Sequence, residues 1–164
     1  MAPRAATTAD AERLAEIYGH YVRTSVATFD EVPPTPAEMA AKVTDVQRAG
    51  LPFLVAEGER DVEAFAYLAS YRPRSAYRFT AETSVYVASE ARGRGHGRRL
   101  LGELVALAPS CGLRELVAVI AVTEDPASVA LHRRCGFADA GLLTGVGFKH
   151  GRWLDTLVLQ LSLR

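Results

Sequence analysis

This 164-residue sequence is short of several things at once. It carries no net charge, since 19 Lys and Arg balance 19 Asp and Glu. No global field therefore draws it to nucleic acid. It has no apolar run near the ~20 residues of a membrane span. Residues 1–15 lack the apolar core of a signal peptide. Cysteine is limited to Cys111 and Cys135, which suggest neither a disulfide framework nor a zinc site. Low-complexity stretches, internal repeats and long Pro/Gly-rich linkers are missing too. These absences lead to an expectation: one domain over residues 1–164, in a reducing cytoplasm, with no metal and no nucleic-acid or membrane partner. What is plentiful is apolar side chain, at 49% of residues, enough for a full hydrophobic core.

Periodicity sets out the elements. Arg4–Ala6 reads as a short edge strand. Thr8 resembles an N-cap for a helix carrying Leu14, Ile17, Tyr18 and Tyr21, fading near Thr24. Ser25–Pro34 reads as a loop. Thr35-Pro36-Ala37-Glu38 predicts a capping box with proline at the first helical position, and a helix to about Arg48. Phe53–Glu57 and Val62–Tyr71 predict two strands joined by a turn at Gly58–Asp61. Arg72–Phe79 is a basic, aromatic connection into a strand at Glu82–Ala88. From Arg98, residues Leu100, Leu101, Leu104, Val105 and Ala108 mark an amphipathic helix. Leu116–Val122 is apolar enough for a strand buried on both faces. Asp125-Pro126 opens a short helix that closes at Gly136. Leu142–Phe148 and Asp155–Leu163 complete the set. Hairpins make the early strands antiparallel. The crossover from Ser84–Val87 to Leu116–Val122 is parallel and right-handed. The expected fold class is α/β (α+β), a mixed central β-sheet with helices on both faces.

One segment carries chemistry by itself. Arg92-Gly93-Arg94-Gly95-His96-Gly97-Arg98 lies between a strand and a helix. Its alternating glycines allow a sharp turn and bring backbone N–H groups close to a ligand. Those groups join the free donors of a helix N-terminus, a ready anion site. Arg92, Arg94, Arg98 and Arg99 add positive charge, so a diphosphate is the natural guest. The spacing is not that of a dinucleotide fold, and no Gly-Lys-Ser/Thr follows for a nucleoside triphosphate.

Arg92-x-x-Gly95-x-Gly97 resembles the Arg/Gln-x-x-Gly-x-Gly/Ala signature of the GNAT acetyltransferase superfamily. The element order is also similar to the GNAT fold across essentially the whole chain. Three further stretches resemble the phosphinothricin acetyltransferase subgroup and its methionine sulfone/sulfoximine-acetylating relatives. They are Tyr71–Thr80, Glu82–Val87 and Gly147–Asp155. The resemblance implies acetyl-CoA as co-substrate and a small, glutamate-like amino acid analogue as acceptor. It also implies a homodimer, with Phe29 and Lys149–Trp153 near its interface. The loop Arg92–Arg98 would bind the coenzyme diphosphate, and the backbone of Val85, Tyr86 and Val87 would pair with the pantetheine arm. Asp125 and Ser128 would lie near that arm, although many relatives have asparagine in place of Asp125.

Acetyl transfer needs a neutral amine, so a base must take a proton from the α-ammonium. Glu82 matches the subgroup's catalytic glutamate and is expected to act as general base through a water. His132 stands where many GNAT enzymes have a tyrosine, and is expected to be the second acid/base residue. Arg72, Arg74, Arg78, Lys149 and His150 would hold the acceptor's anionic groups, with Tyr77 and Phe29 as walls. Trp153 and Leu154 read as core or interface. Two rival readings are an acetyltransferase for a peptide or protein amine, and a non-catalytic CoA-binding sensor.

Overall fold

Strand alternation and helix periodicity resolve into seven strands and four α-helices in a computed structural model that describes residues 2–59 and 61–164. The strands are β1 (Arg4–Ala5), β2 (Phe53–Glu57), β3 (Val62–Ser70), β4 (Thr80–Val87), β5 (Glu115–Ala121), β6 (Ala138–Lys149) and β7 (Arg152–Ser162). The helices are α1 (Ala11–Thr24), α2 (Pro36–Arg48), α3 (His96–Leu107) and α4 (Ala127–Arg134). One sheet holds every strand, in the order β1-β2-β3-β4-β5-β7-β6. All neighbours are antiparallel except β4 and β5, the pair joined through α3. Arg60, within the expected β2–β3 turn, lies outside the described residues, as does Met1.

Local chemistry explains the helix starts. Thr35 Oγ1 accepts the Glu38 amide at 3.2 Å and Glu38 Oε2 accepts the Thr35 amide at 2.7 Å, closing the capping box ahead of α2. Loss of such a cap costs about 1 kcal/mol. At α1 the cap sits one residue earlier than expected. Thr7, not Thr8, opens a short 3-10 turn over Thr8–Asp10, and the α-helix begins only at Ala11. Asp10 draws the start there, because its carboxylate accepts both the Thr7 amide and the Arg4 guanidinium.

The sheet separates two cores. Leu14, Ile17, Val22, Met39 and Val43 of α1 and α2 cover Phe53, Phe65 and Tyr67 on one face. Leu100, Leu101 and Leu104 of α3 cover Leu54, Leu68, Leu116 and Leu159 on the other. These leucines are buried, and each Leu→Ala change at such a site costs about 2–5 kcal/mol. β5 departs from expectation. Leu116, Val117 and Ala118 are buried, but Val119 is 40% exposed. The reason lies in its pairing with β4.

Candidate functional site

β4 and β5 pair over only three positions, Thr80–Glu82 against Glu115–Val117. Beyond them β5 continues along β7, while β4 continues along β3 as far as Val87. The two parallel strands therefore separate, and the edge of β4 that faced β5 leaves the ladder. A cleft of about 1340 Å³ opens there. It runs from the glycine loop to the loop after α1, and its floor includes Glu82, Val85, Tyr86, Val87 and Val119.

At one end the glycine loop enters α3. Gly93 and Gly95 have φ of +78° and +83°, a region costly for residues with a Cβ. Gly97 serves close approach instead, since a Cβ there would meet a Leu131 methyl at 3.2 Å. The wall residues Arg92 and Asp125 meet at 2.7 Å, and the guanidinium holds the Asp125 carboxyl below the usual range. Gly93, Gly95, Gly97, Arg98, Asp125 and Ser128 line this end of the cleft. Arg94 and His96 aim their side chains elsewhere, toward Glu63.

Alternation along β4 sends its side chains to opposite faces. Tyr86 packs among Tyr18, Tyr21 and Phe65 on the α1–α2 side. Glu82 and Ser84 share that side. Glu82 makes no side-chain hydrogen bond or ion pair among the described residues, and burial raises its pKa above the ordinary glutamate value. Thr83 points to the α3–α4 side and meets His132. Glu82 and His132 thus approach the cleft from opposite faces of one strand.

The His132 tautomer follows from its partners. Nδ1 lies 2.8 Å from the Ser128 carbonyl, which only accepts, so Nδ1 carries the hydrogen. In the neutral ring Nε2 is then an acceptor, 3.1 Å from Thr83 Oγ1. The ring is 3% exposed, and burial lowers its pKa. Neutral His132 takes a proton or accepts a hydrogen bond at Nε2; it has none to donate there.

The expected acceptor ligands are scattered. Phe29 lines the cleft and its ring covers Gly147, where a Cβ would lie 2.4 Å from the ring edge. Lys149 does not line the cleft. Its ammonium is buried and donates to the Thr28 carbonyl at 2.7 Å, because Lys149 sits on β6 directly beneath the loop that carries Phe29. His150, at φ +50°, is exposed in the β6–β7 turn with its ring 3.3 Å from the Ser25 carbonyl. Arg72 rests against the Tyr71 and Tyr77 rings, and Arg78 stacks on Phe79. Arg72, Arg74, Tyr77 and Arg78 form a basic, aromatic surface at the β3–β4 connection, outside the cleft of a single chain.

Two lining residues, Lys42 and Thr156, have no motif to announce them, and a third, Arg152, lies within the Gly147–Asp155 stretch without an expected role. Lys42 of α2 has its ammonium 4.7 Å from the Tyr67 ring centre and 5.4 Å from that of Tyr18. Arg152 opens β7. Thr156 is 3% exposed, and its Oγ1 has no hydrogen-bond partner among the described residues. The available signal was weak: a lysine beside the buried stripe Met39, Val43, Val46, and a threonine inside an apolar strand.

Known proteins are similar to this chain in sequence and in fold. The acetyltransferase (GNAT) domain family matches residues 4–158. A phosphinothricin N-acetyltransferase of Alcaligenes faecalis is 49% identical over 94% of this chain and 78% of its own length. An L-methionine sulfoximine/L-methionine sulfone acetyltransferase of Pseudomonas aeruginosa is 38% identical over 98% of this chain and 93% of its own. The crystal structure of a GNAT superfamily phosphinothricin acetyltransferase from Sinorhizobium meliloti, in complex with acetyl-CoA, superposes with a TM-score of 0.93 at 45% identity. It covers 98% of this chain and 86% of that one.

Proposed function

The chain belongs to the GNAT acetyltransferase family, and on that premise we propose that it moves the acetyl group of acetyl-CoA to the α-amino group of a glutamate-like amino acid analogue, such as phosphinothricin or methionine sulfoximine. The observation that carries this reading is Glu82, a carboxylate with a raised pKa and no partner among the described residues, on the floor of a cleft whose far end is a glycine loop.

The thioester lies along the free edge of β4, with the coenzyme diphosphate on the amide groups at the start of α3. The acceptor enters from the α1–α2 side. Glu82 takes a proton from its ammonium through a water, and the neutral amine attacks the carbonyl carbon. The oxygen that gains negative charge faces an N–H group on the free edge of β4. Collapse breaks the carbon–sulfur bond; the attacking nitrogen gives up its remaining extra proton and the thiolate takes one up, so the protons balance. His132 Nε2, 3.1 Å from the Thr83 hydroxyl, accepts the nitrogen's proton and returns one to sulfur. Lys42 and Arg152 supply cations on the acceptor side, and Thr156 supplies an uncommitted hydroxyl. Phe29 is a wall.

In this reading the working unit is a homodimer in the cytoplasm. The β6–β7 hairpin at the sheet edge exposes Leu142, Leu143, Val146, Phe148 and Trp153, the last at 72%. Such a patch suits a second copy of the chain. Of the two residues expected in core or interface, Trp153 is exposed and Leu154 is buried.

The test is a panel of acceptors with acetyl-CoA: phosphinothricin, methionine sulfoximine, methionine sulfone and short peptides. Turnover of the three small analogues well above that of the peptides supports the reading. Acetylation of the peptides alone, or of none of the panel, overturns it.

A further inference from the structure

Glu63 lies outside the cleft, yet it touches the glycine loop at Arg94 and at His96, where α3 begins. It sits on β3, with its carboxylate mostly buried at 19% side-chain exposure. Oε2 accepts from His96 Nε2 at 2.7 Å and Oε1 accepts from Arg94 Nη1 at 3.1 Å. Its backbone carbonyl accepts the Ala88 amide at 2.8 Å, just past the end of β4. One residue therefore ties the exit of β4, the middle of the loop and the first residue of α3.

The surroundings are built for this contact. His96 is 6% exposed, and Nδ1 has no partner among the described residues, so the ring is held through Nε2. A buried imidazole and a buried carboxylate each carry a desolvation cost that their mutual hydrogen bond offsets. Gly58 in the β2–β3 turn clears the space: a Cβ there would stand 2.3 Å from the Glu63 carboxyl group. Gly93 and Gly95, by contrast, have nothing within 4 Å of a built Cβ. The space beside those glycines is open, so Arg94 and His96 supply side-chain contacts to the sheet that the glycines do not.

We propose that Glu63 is the positioning residue of the coenzyme loop: through His96 and Arg94 it presets the backbone N–H groups at the start of α3 for the diphosphate. Glu63 itself does not line the cleft, and acts only through these two partners. The proposal rests on the reading that this loop takes the coenzyme diphosphate. Its energetic basis is preorganisation, since a loop already in its bound shape loses less freedom on binding.

Calorimetric titration of the full chain with CoA, and with pantetheine, which lacks the diphosphate, tests it. Glu63→Leu removes both charge-assisted hydrogen bonds to the loop and is expected to weaken CoA about tenfold or more, leaving pantetheine unchanged. In turnover the KM for acetyl-CoA rises while kcat stays. Glu63→Gln keeps one accepting oxygen and falls between native and Leu. His96→Leu and the Glu63→Leu/His96→Leu double variant should show losses no greater together than the larger single loss. Native CoA affinity in Glu63→Leu overturns the proposal, as does an equal loss of CoA and pantetheine. If Glu63→Leu fails to fold, Glu63→Gln decides, and native CoA affinity there overturns it equally. Arg98→Ala separates the two levels. If it leaves CoA affinity intact, the loop reading itself fails. If it weakens CoA while Glu63→Leu does not, only the positioning role fails.

Discussion

The two ends of the cleft are built in opposite ways. The coenzyme end is a contiguous run, residues 92–98, whose shape follows from glycine φ angles and a helix N-terminus. The acceptor end is gathered from five separate places: Phe29 after α1, Lys42 on α2, Tyr67 on β3, Glu82 on β4, and Arg152 with Thr156 on β7. A contiguous site is constrained by local stereochemistry, and a gathered one by packing between distant segments. In the proposed function the first takes the coenzyme and the second the acceptor, and the second can change through any of its five supports.

The comparison breaks most sharply at the acceptor end's carboxylate. Glu82→Gln is expected to lower kcat by about 10²- to 10⁴-fold with both KM values near native, the usual range for a lost general base. Steady-state kinetics with both substrates varied will check this. Next in size is Lys149→Met, which removes the buried tether beneath Phe29. About tenfold in acceptor KM is expected, with the acetyl-CoA KM unchanged, because a hydrogen bond from a charged donor is lost at one end only. Equal changes in both KM values would show that the ends are not separable. Gly97→Ala is the counterpart at the coenzyme end. The added methyl presses on Leu131 at 3.2 Å, so a severalfold rise in acetyl-CoA KM is expected with acceptor KM unchanged. Thr156→Val is the mildest. It removes an unsatisfied buried hydroxyl, so the melting temperature holds or rises, while acceptor KM rises modestly.

Stability should also divide by group. Glu82 has a raised folded-state pKa, so the folded state binds more protons than the unfolded one between the ordinary glutamate value and the raised one. Its contribution therefore declines as pH rises through that window. His132 has a lowered pKa, so the folded state binds fewer protons just below the ordinary histidine value, and stability declines as pH falls there. Denaturation of Glu82→Gln and His132→Gln across pH should remove the first and second slopes respectively.

Legibility follows the same division. The glycine loop, the capping box at Thr35 and the parallel crossover rest on neighbours in sequence or on strand handedness, and the amino-acid sequence alone is enough to read all three. Thr7 displaces Thr8 because Asp10 also has Arg4 to hold, a contact no helix-start rule includes. β5 looks buried on both faces because its composition cannot report that β4 leaves it after three residues. Lys149 looks like an anion ligand, since its partner is a backbone carbonyl 121 residues away. Glu63 and His96 are 33 residues apart and joined only by the fold.

In the proposed reaction Glu82 is the base, and its titration should be visible in the rate. The most direct measurement is the pH dependence of kcat/KM for methionine sulfoximine in the native chain and in Glu82→Gln. The native rate should rise with pH through a pKa above the ordinary glutamate value. Glu82→Gln should lose that acid limb along with most of its rate. An acid limb that persists in Glu82→Gln at near-native rates would contradict this role.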